Sequence, residues 1–220
     1  MGDERNCEQC GASFAPRREH ARFCSTRCRV AWNRAARSGK VPAEAGALEW
    51  ALTAMHDSTD RLPRVTDLDR PRAFAVISEA VWWVTIVDGT LVRYHPEAYD
   101  RELRSRSPAD QALIEETLAG LRFVRNQMGQ DVDHTDFIRP GSAANGNGQG
   151  HVRAWSWNQM PEPGCTSLSP RGQEWELGRY RAYQSRLADH PVGRTFRLAT
   201  EFLSDASAAA TRLAEAGGVG

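Results

Sequence analysis

Lysine is nearly missing from this chain. Of the 28 basic residues in 220, Lys40 is the one lysine and the others are arginine. That bias points to a GC-rich bacterial genome rather than to a function. Long apolar runs are also missing. The longest, near Ala73 to Val87, is interrupted by Ser78 and Glu79 and falls short of the ~20 apolar residues a bilayer span requires. Residues 1 to 6 are polar, without the apolar core of a secretory signal. A cytoplasmic protein with no membrane partner is the expectation. Also missing are a P-loop, a Gly-rich dinucleotide turn, a His-Glu-x-x-His helix and a nucleophile elbow. The six histidines, His20, His56, His95, His134, His151 and His190, are scattered. No internal repeat is visible, and no segment outside the N-terminus shows sustained strand alternation.

Cysteine is scarce but concentrated. Four of the five lie in residues 7 to 28, as Cys7-x2-Cys10, thirteen intervening residues, and Cys24-x3-Cys28. Four thiolates fill a tetrahedral Zn2+ completely, leaving no open position for water or substrate, so such a site is structural. Gly11 follows the second cysteine, where a tight knuckle needs a residue tolerant of positive φ. Ser25 is a good N-cap, and the sequence from Ser25 runs without a breaker to Gly39. Cys24 and Cys28 would then sit at a first helical turn, where the positive end of the dipole favours thiolates. A unit this small cannot bury much apolar surface, and a structural zinc would supply on the order of 10 kcal/mol of its stability. Two disulfides, or four reduced buried cysteines, are the alternatives. Disulfides fit poorly with a chain lacking a secretory signal.

The residues Cys7-x2-Cys10-Gly11, Phe14 and Phe23-Cys24-Ser25-x2-Cys28-Arg29 resemble the treble-clef zinc fingers of the FCS and MYM type, over about residues 5 to 38. The resemblance implies a zinc knuckle, a short hairpin, and a helix carrying the last two ligands. Fingers of this kind bind nucleic acid, bind proteins, or only staple a domain.

Charge bears on that choice. Residues 17 to 40 hold eight basic residues, Arg17, Arg18, Arg22, Arg27, Arg29, Arg34, Arg37 and Lys40, against one acid, Glu19. Residues 41 to 220 hold 19 basic and 24 acidic residues, so the neutral total conceals a basic head on an acidic body. A basic patch is the footprint of phosphate-backbone binding, which makes RNA or DNA the expected partner. A solvated face, or docking on the acidic body or on a protein partner, is the alternative.

The remainder reads as helices. Residues 44 to 56 place Leu48, Leu52 and Met55 on one face. Asp69 caps a long helix with Pro71 in its first turn and Pro96 bounding its end. Phe74, Ile77, Val81, Val84 and Leu91 form its inner row, with Asp88 in the gap. Ser107-Pro108-Ala109-Asp110 starts another helix to about Met128, whose inner row of Ile114, Leu118, Leu121 and Met128 carries Arg125. A buried unpaired charge costs several kcal/mol, so an Asp88–Arg125 ion pair between antiparallel helices is expected, unless slight rotation lets both reach the rim. Residues 139 to 169 read as a flexible loop, Gly-rich from 141 to 150. In it, Trp155 and Trp157 face the same way in an extended chain, either to stack on bases or to return the loop to the core. Cys165 reads as an ordinary free thiol. Residues 170 to 216 read as a helical hairpin broken at His190-Pro191.

Arg125-Asn126 near a helix end, in a helical bundle, resembles the HEPN superfamily, many members of which are RNases. Trp82-Trp83 and Asp88 on the preceding helix add to the likeness, which covers roughly residues 70 to 138. It implies a catalytic Arg and His, usually paired across a dimer. Here positions 130 to 132 are Gln, Asp and Val, and His134 would lie about 180° around a continuing helix from Arg125. Without a group titrating near neutrality, acid–base cleavage of RNA lacks its proton carrier.

The expectation is therefore a mainly α protein. A treble-clef finger over 1–42 carries one structural Zn2+, and an all-α bundle over 43–220, HEPN-like at 70–138, serves as scaffold or dimerisation unit. The alternatives are a divergent RNase using Arg125, Asn126 and His134, or a protein-interaction module.

Overall fold

The computed structural model describes residues 5–16, 21–26, 28–29, 45–67, 69–130, 137–144, 151–164 and 168–217. It divides the chain into two compact units, Met1–Ala45 and Gly46–Gly220. The fold is mainly helical.

The first unit holds a short antiparallel hairpin, β1 (Arg5–Asn6) with β2 (Ser13–Phe14), in the register Arg5↔Phe14 and Asn6↔Ser13. Thr26, Cys28 and Arg29 are helical. Their start is capped as the sequence predicts: the Cys28 backbone N–H donates to Ser25 Oγ at 3.2 Å and Arg29 N–H to the Ser25 carbonyl at 3.1 Å. Residues 30 to 39 of the expected helix lie outside the described residues.

The second unit has six α-helices among the described residues: α1 (Ala45–Thr59), α2 (Arg70–Tyr94), α3 (Pro96–Arg104), α4 (Pro108–Gln130), α5 (Pro170–Arg186) and α6 (Val192–Gly217), with a 3-10 turn at Leu62–Asp67. Starts follow the capping residues. Asp69 accepts from Arg72 N–H at 3.1 Å, Ser107 from Asp110 N–H at 3.2 Å, and Ser169 from Gly172 N–H at 3.3 Å, with Pro71, Pro108 and Pro170 in the first turns. The core is the inner row of α2, with Ile77, Val81, Val84, Val87 and Leu91 fully buried, packed with Leu118 and Leu121 of α4 and Phe196, Phe202 and Leu203 of α6. Each such aliphatic contributes roughly 1.5–3 kcal/mol by leaving water. By length and apolarity α2 would suffice to cross a membrane, which corrects the expectation that this stretch is too short. Its inner row is nonetheless committed to protein core.

Asp88 is completely buried, but its partner is Arg122, not Arg125. Arg122 Nε and Nη2 donate to Asp88 Oδ2 at 2.6 and 2.5 Å, and the Tyr99 hydroxyl donates to Oδ1 at 3.2 Å. Burial pushes the Asp88 carboxyl up, against the pull of Arg122 and Tyr99. Arg125 instead stacks over Trp82 at 4.8 Å. Moving from Trp82 to Asp88 on α2 takes the partner from Arg125 back to Arg122, so the two helices run antiparallel. The residue differs from the expectation because α4 is buried on two sides. Phe123 packs on Tyr180 and Tyr183 of α5 at 5.5 and 5.3 Å. Gly120 lets α5 come close, since a Cβ there would stand 2.8 Å from Leu187 Cδ1 and 3.2 Å from Tyr183 Cα. That second neighbour rotates α4 and sends Arg125 to the rim.

The expected loop over 139–169 contains a hairpin, β3 (Ile138–Ala144) antiparallel to β4 (His151–Trp157), with Ile138↔Trp157 and Gly141↔Ala154 in register. Its strand character is hidden in the sequence because β3 carries Pro140 and Gly141 and no alternation of large side chains. Gly141 is needed there: a Cβ would fall 2.3 Å from Ser156 Oγ. Both tryptophans return this segment to the core. Trp157 is fully buried, its indole N–H donating to Thr195 Oγ1 at 2.8 Å, and Trp155 donates to the Val65 carbonyl at 2.8 Å. Cys165 lies outside the described residues. The two C-terminal helices do not form the expected hairpin: α5 lies along α4, while α6 packs on α3 and α2. Between them a turn at 187–191, with Asp189 at φ 65°, bonds back to Trp157 through His190 O and Asp189 N–H, each at 3.0 Å.

Candidate metal centre

The first unit brings Cys7, Cys10, Cys24 and Cys28 together. Their four sulfurs all lie within 4.8 Å of one another, and none is in a disulfide. Cys10 Sγ is 3.7 Å from Cys24 Sγ, and Cys24 Sγ is 3.5 Å from Cys28 Sγ. Four thiolates around a metal at about 2.3 Å would stand ~3.8 Å apart along a tetrahedron's edges. Two spacings near that edge, made by residues from two separate knuckles, fit one ion enclosed by four sulfurs. The cluster could hold one metal ion.

Local backbone geometry aims the sulfurs. The chain turns back at Gly11, at φ +73°, with Gly11 N–H donating to the Cys7 carbonyl at 2.8 Å and Cys7 N–H to the Ala12 carbonyl at 2.9 Å. A non-glycine residue would be strained in that left-handed conformation. Cys7 is buried. Burial opposes its ionisation, but backbone N–H groups of Cys24, Cys10 and Gln9 outweigh it and lower the thiol to about 6. Cys24 is pushed up to about 12 by the side chains of Cys28, Cys7 and Cys10. A bound dication would favour the thiolate form of the cysteines that hold it.

An ion pair ties the two knuckles. Arg22 Nε and Nη2 donate to the two carboxylate oxygens of Glu8 at 2.7 and 2.5 Å, and Glu8 N–H donates to the Arg22 carbonyl at 3.1 Å. Donation by Arg22 holds Glu8 below the usual carboxylate range. The spacing alone could not reveal this pair, because Glu8 and Arg22 become neighbours only when the cysteines converge. Arg22, a candidate phosphate contact, is thus already engaged. Arg29, another candidate, is exposed beside Cys28. Arg17, Arg18, Arg27, Arg34, Arg37 and Lys40 lie outside the described residues.

The residues of the possible RNase motif have other partners. Arg125 covers Trp82. Asn126 Nδ2 donates to Glu176 Oε2 at 3.0 Å, while Gln127 and Arg179 approach the same buried carboxylate at 3.4 Å. Asn126 therefore satisfies a buried acid on α5. His134 lies outside the described residues.

No protein-family profile matches the chain, and no curated protein or solved structure is significantly similar to it.

Proposed function

We propose that this is a zinc-binding protein whose N-terminal unit is a structural zinc finger and whose basic segment, residues 17 to 40, contacts nucleic acid, with the helical unit as scaffold. One observation carries the zinc reading: four cysteine sulfurs from two knuckles, two of whose separations, 3.7 and 3.5 Å, are close to the edge of a tetrahedral thiolate shell. An all-sulfur tetrahedral set selects zinc among common resident ions, with iron the competitor. All four positions are protein ligands, so the metal's chemistry here is to cross-link and neutralise, not to activate a substrate. Cys7, Cys10, Cys24 and Cys28 would hold it, Gly11 would shape the first knuckle, and Glu8–Arg22 would brace the pair.

The nucleic-acid reading rests on the eight cations of residues 17 to 40 and on the exposure of Arg29 at the last ligand. Arg22 contributes less directly, since its guanidinium is paired with Glu8. Elemental analysis of purified protein should give one zinc per chain. Binding to a short RNA or DNA should then weaken steeply between low and moderate salt. Zinc-free protein with an unchanged fold in strong chelator would refute the first part. Absent or salt-insensitive binding would refute the second.

A further inference from the structure

The helical unit contains a cavity of about 440 Å³, inside the range of sites for small organic ligands. It opens between the 3-10 turn, α2, β4 and α6, and Leu62, Pro63, Val65, Ile77, Trp155 and Phe196 line it. These walls come from elements that the core already fixes. The Trp155 N–H···O bond to Val65, at 2.8 Å, pins β4 to the 3-10 turn, so the space is held open by structure rather than left by loose packing.

The polar groups of the wall are mostly engaged. Thr59 donates its hydroxyl to the Met55 carbonyl at 2.8 Å and Thr200 to the Phe196 carbonyl at 2.8 Å, while the Trp155 N–H is taken by Val65. Waters filling such a space would find few of the two to four partners each needs. An apolar body is the better occupant. Two charged side chains also line the cavity, Asp60 and Arg197, and no partner holds either of them among the described residues. Arg197 lines both this cavity and a second crevice of about 270 Å³, whose other lining residues include Arg186, His190, Arg194 and Glu201. Arg186 is paired with Glu116, whereas no partner holds the Arg194 or Arg197 guanidinium among the described residues.

We infer that this cavity binds a small organic monoanion, an apolar chain or ring carrying one carboxylate, with the apolar part inside and the carboxylate on Arg197. A planar guanidinium suits a carboxylate through two parallel N–H···O bonds. The site lies wholly within the second unit and does not depend on the zinc reading.

Octanoate and 1-octanol, which share a chain and differ in charge, test it by calorimetric titration of the full-length protein. Octanoate should bind saturably, one per chain, and more tightly than octanol. Arg197→Gln should weaken octanoate about tenfold or more while leaving octanol nearly unchanged. Gly193 offers a cavity-filling control: it lines the cavity, and a Cβ there meets nothing within 4 Å. Gly193→Leu should therefore fold normally, with a melting temperature no lower than the parent's, and lose both ligands. No octanoate binding by the parent protein overturns the inference. So does binding that survives both substitutions. Binding lost in Gly193→Leu but untouched in Arg197→Gln overturns the anionic assignment.

Discussion

Replacing Arg122 by methionine keeps much of the side-chain volume and removes the guanidinium. Asp88, fully buried, would then keep the Tyr99 hydroxyl at 3.2 Å as its hydrogen-bond donor among the described residues, having lost two donors at 2.5 and 2.6 Å. Breaking a buried ion pair by deleting one member costs ~3–5 kcal/mol. The lower end applies here, about 3 kcal/mol, because Arg122 is 33 % exposed and water can enter where it stood. The orphaned carboxyl can also escape by binding a proton. Its pKa is already raised by burial in the native protein, and losing Arg122 raises it further. A carboxyl whose folded pKa exceeds its unfolded value, ~3.9, contributes stability that is fully present below that value and is lost as pH rises through the folded pKa. The deficit of Arg122→Met relative to the parent should therefore be largest at neutral pH and shrink as pH falls towards the unfolded value, ~3.9. Urea titrations at 25 °C followed by far-UV circular dichroism, at several pH values, would measure it. The double variant Asp88→Asn/Arg122→Met should be more stable at pH 7 than Arg122→Met alone, since no charge is left stranded. Arg125→Met serves as the contrast: it forfeits only a cation–π contact with Trp82, which is 48 % exposed, worth ~0.5–1 kcal/mol. If Arg125→Met costs more than Arg122→Met, or if the Arg122 deficit is independent of pH, then Asp88 does not depend on Arg122 for its charge.

Further outcomes concern the metal, the helix contact and the hairpin. Cys24→Ser should bring bound zinc well below one per chain by elemental analysis, with the far-UV helical signal nearly intact because α1 to α6 belong to the other unit. Gly120→Val should destabilise by about 1–3 kcal/mol in urea, since even a Cβ stands 2.8 Å from Leu187 and 3.2 Å from the Tyr183 backbone. Trp157→Ala should cost ~3–5 kcal/mol and lower the melting temperature, because a fully buried indole that bridges the hairpin to Thr195 on α6 is lost.

Much of the candidate site is legible in the residues themselves. The spacing of Cys7, Cys10, Cys24 and Cys28 carries the metal reading, since ligand type and short loops are local properties of the chain. Capping residues do the same for helix starts: Asp69, Ser107 and Ser169 each bond the backbone N–H groups that begin their helices. The short α3 is harder to read, although Pro96 begins it and Tyr99 carries a hydrogen bond to Asp88. The β3 strand leaves no sequence signal, because what holds Gly141 and Pro140 in register is the partner strand opposite them.

By itself the sequence determined a cluster of four cysteines near the amino terminus, a mainly helical body, and the expectation that the acid on α2 meets a cation from α4. Those follow from residue type, periodicity and the cost of burying charge, each of which acts over a few turns of chain. Only the tertiary structure decided that the cation is Arg122, that Arg22 braces Glu8, and that Asn126 serves the buried Glu176. Each of those choices depends on how far one helix or knuckle is turned towards another. That rotation is set by close approaches such as Gly120 against α5, between residues dozens of positions apart.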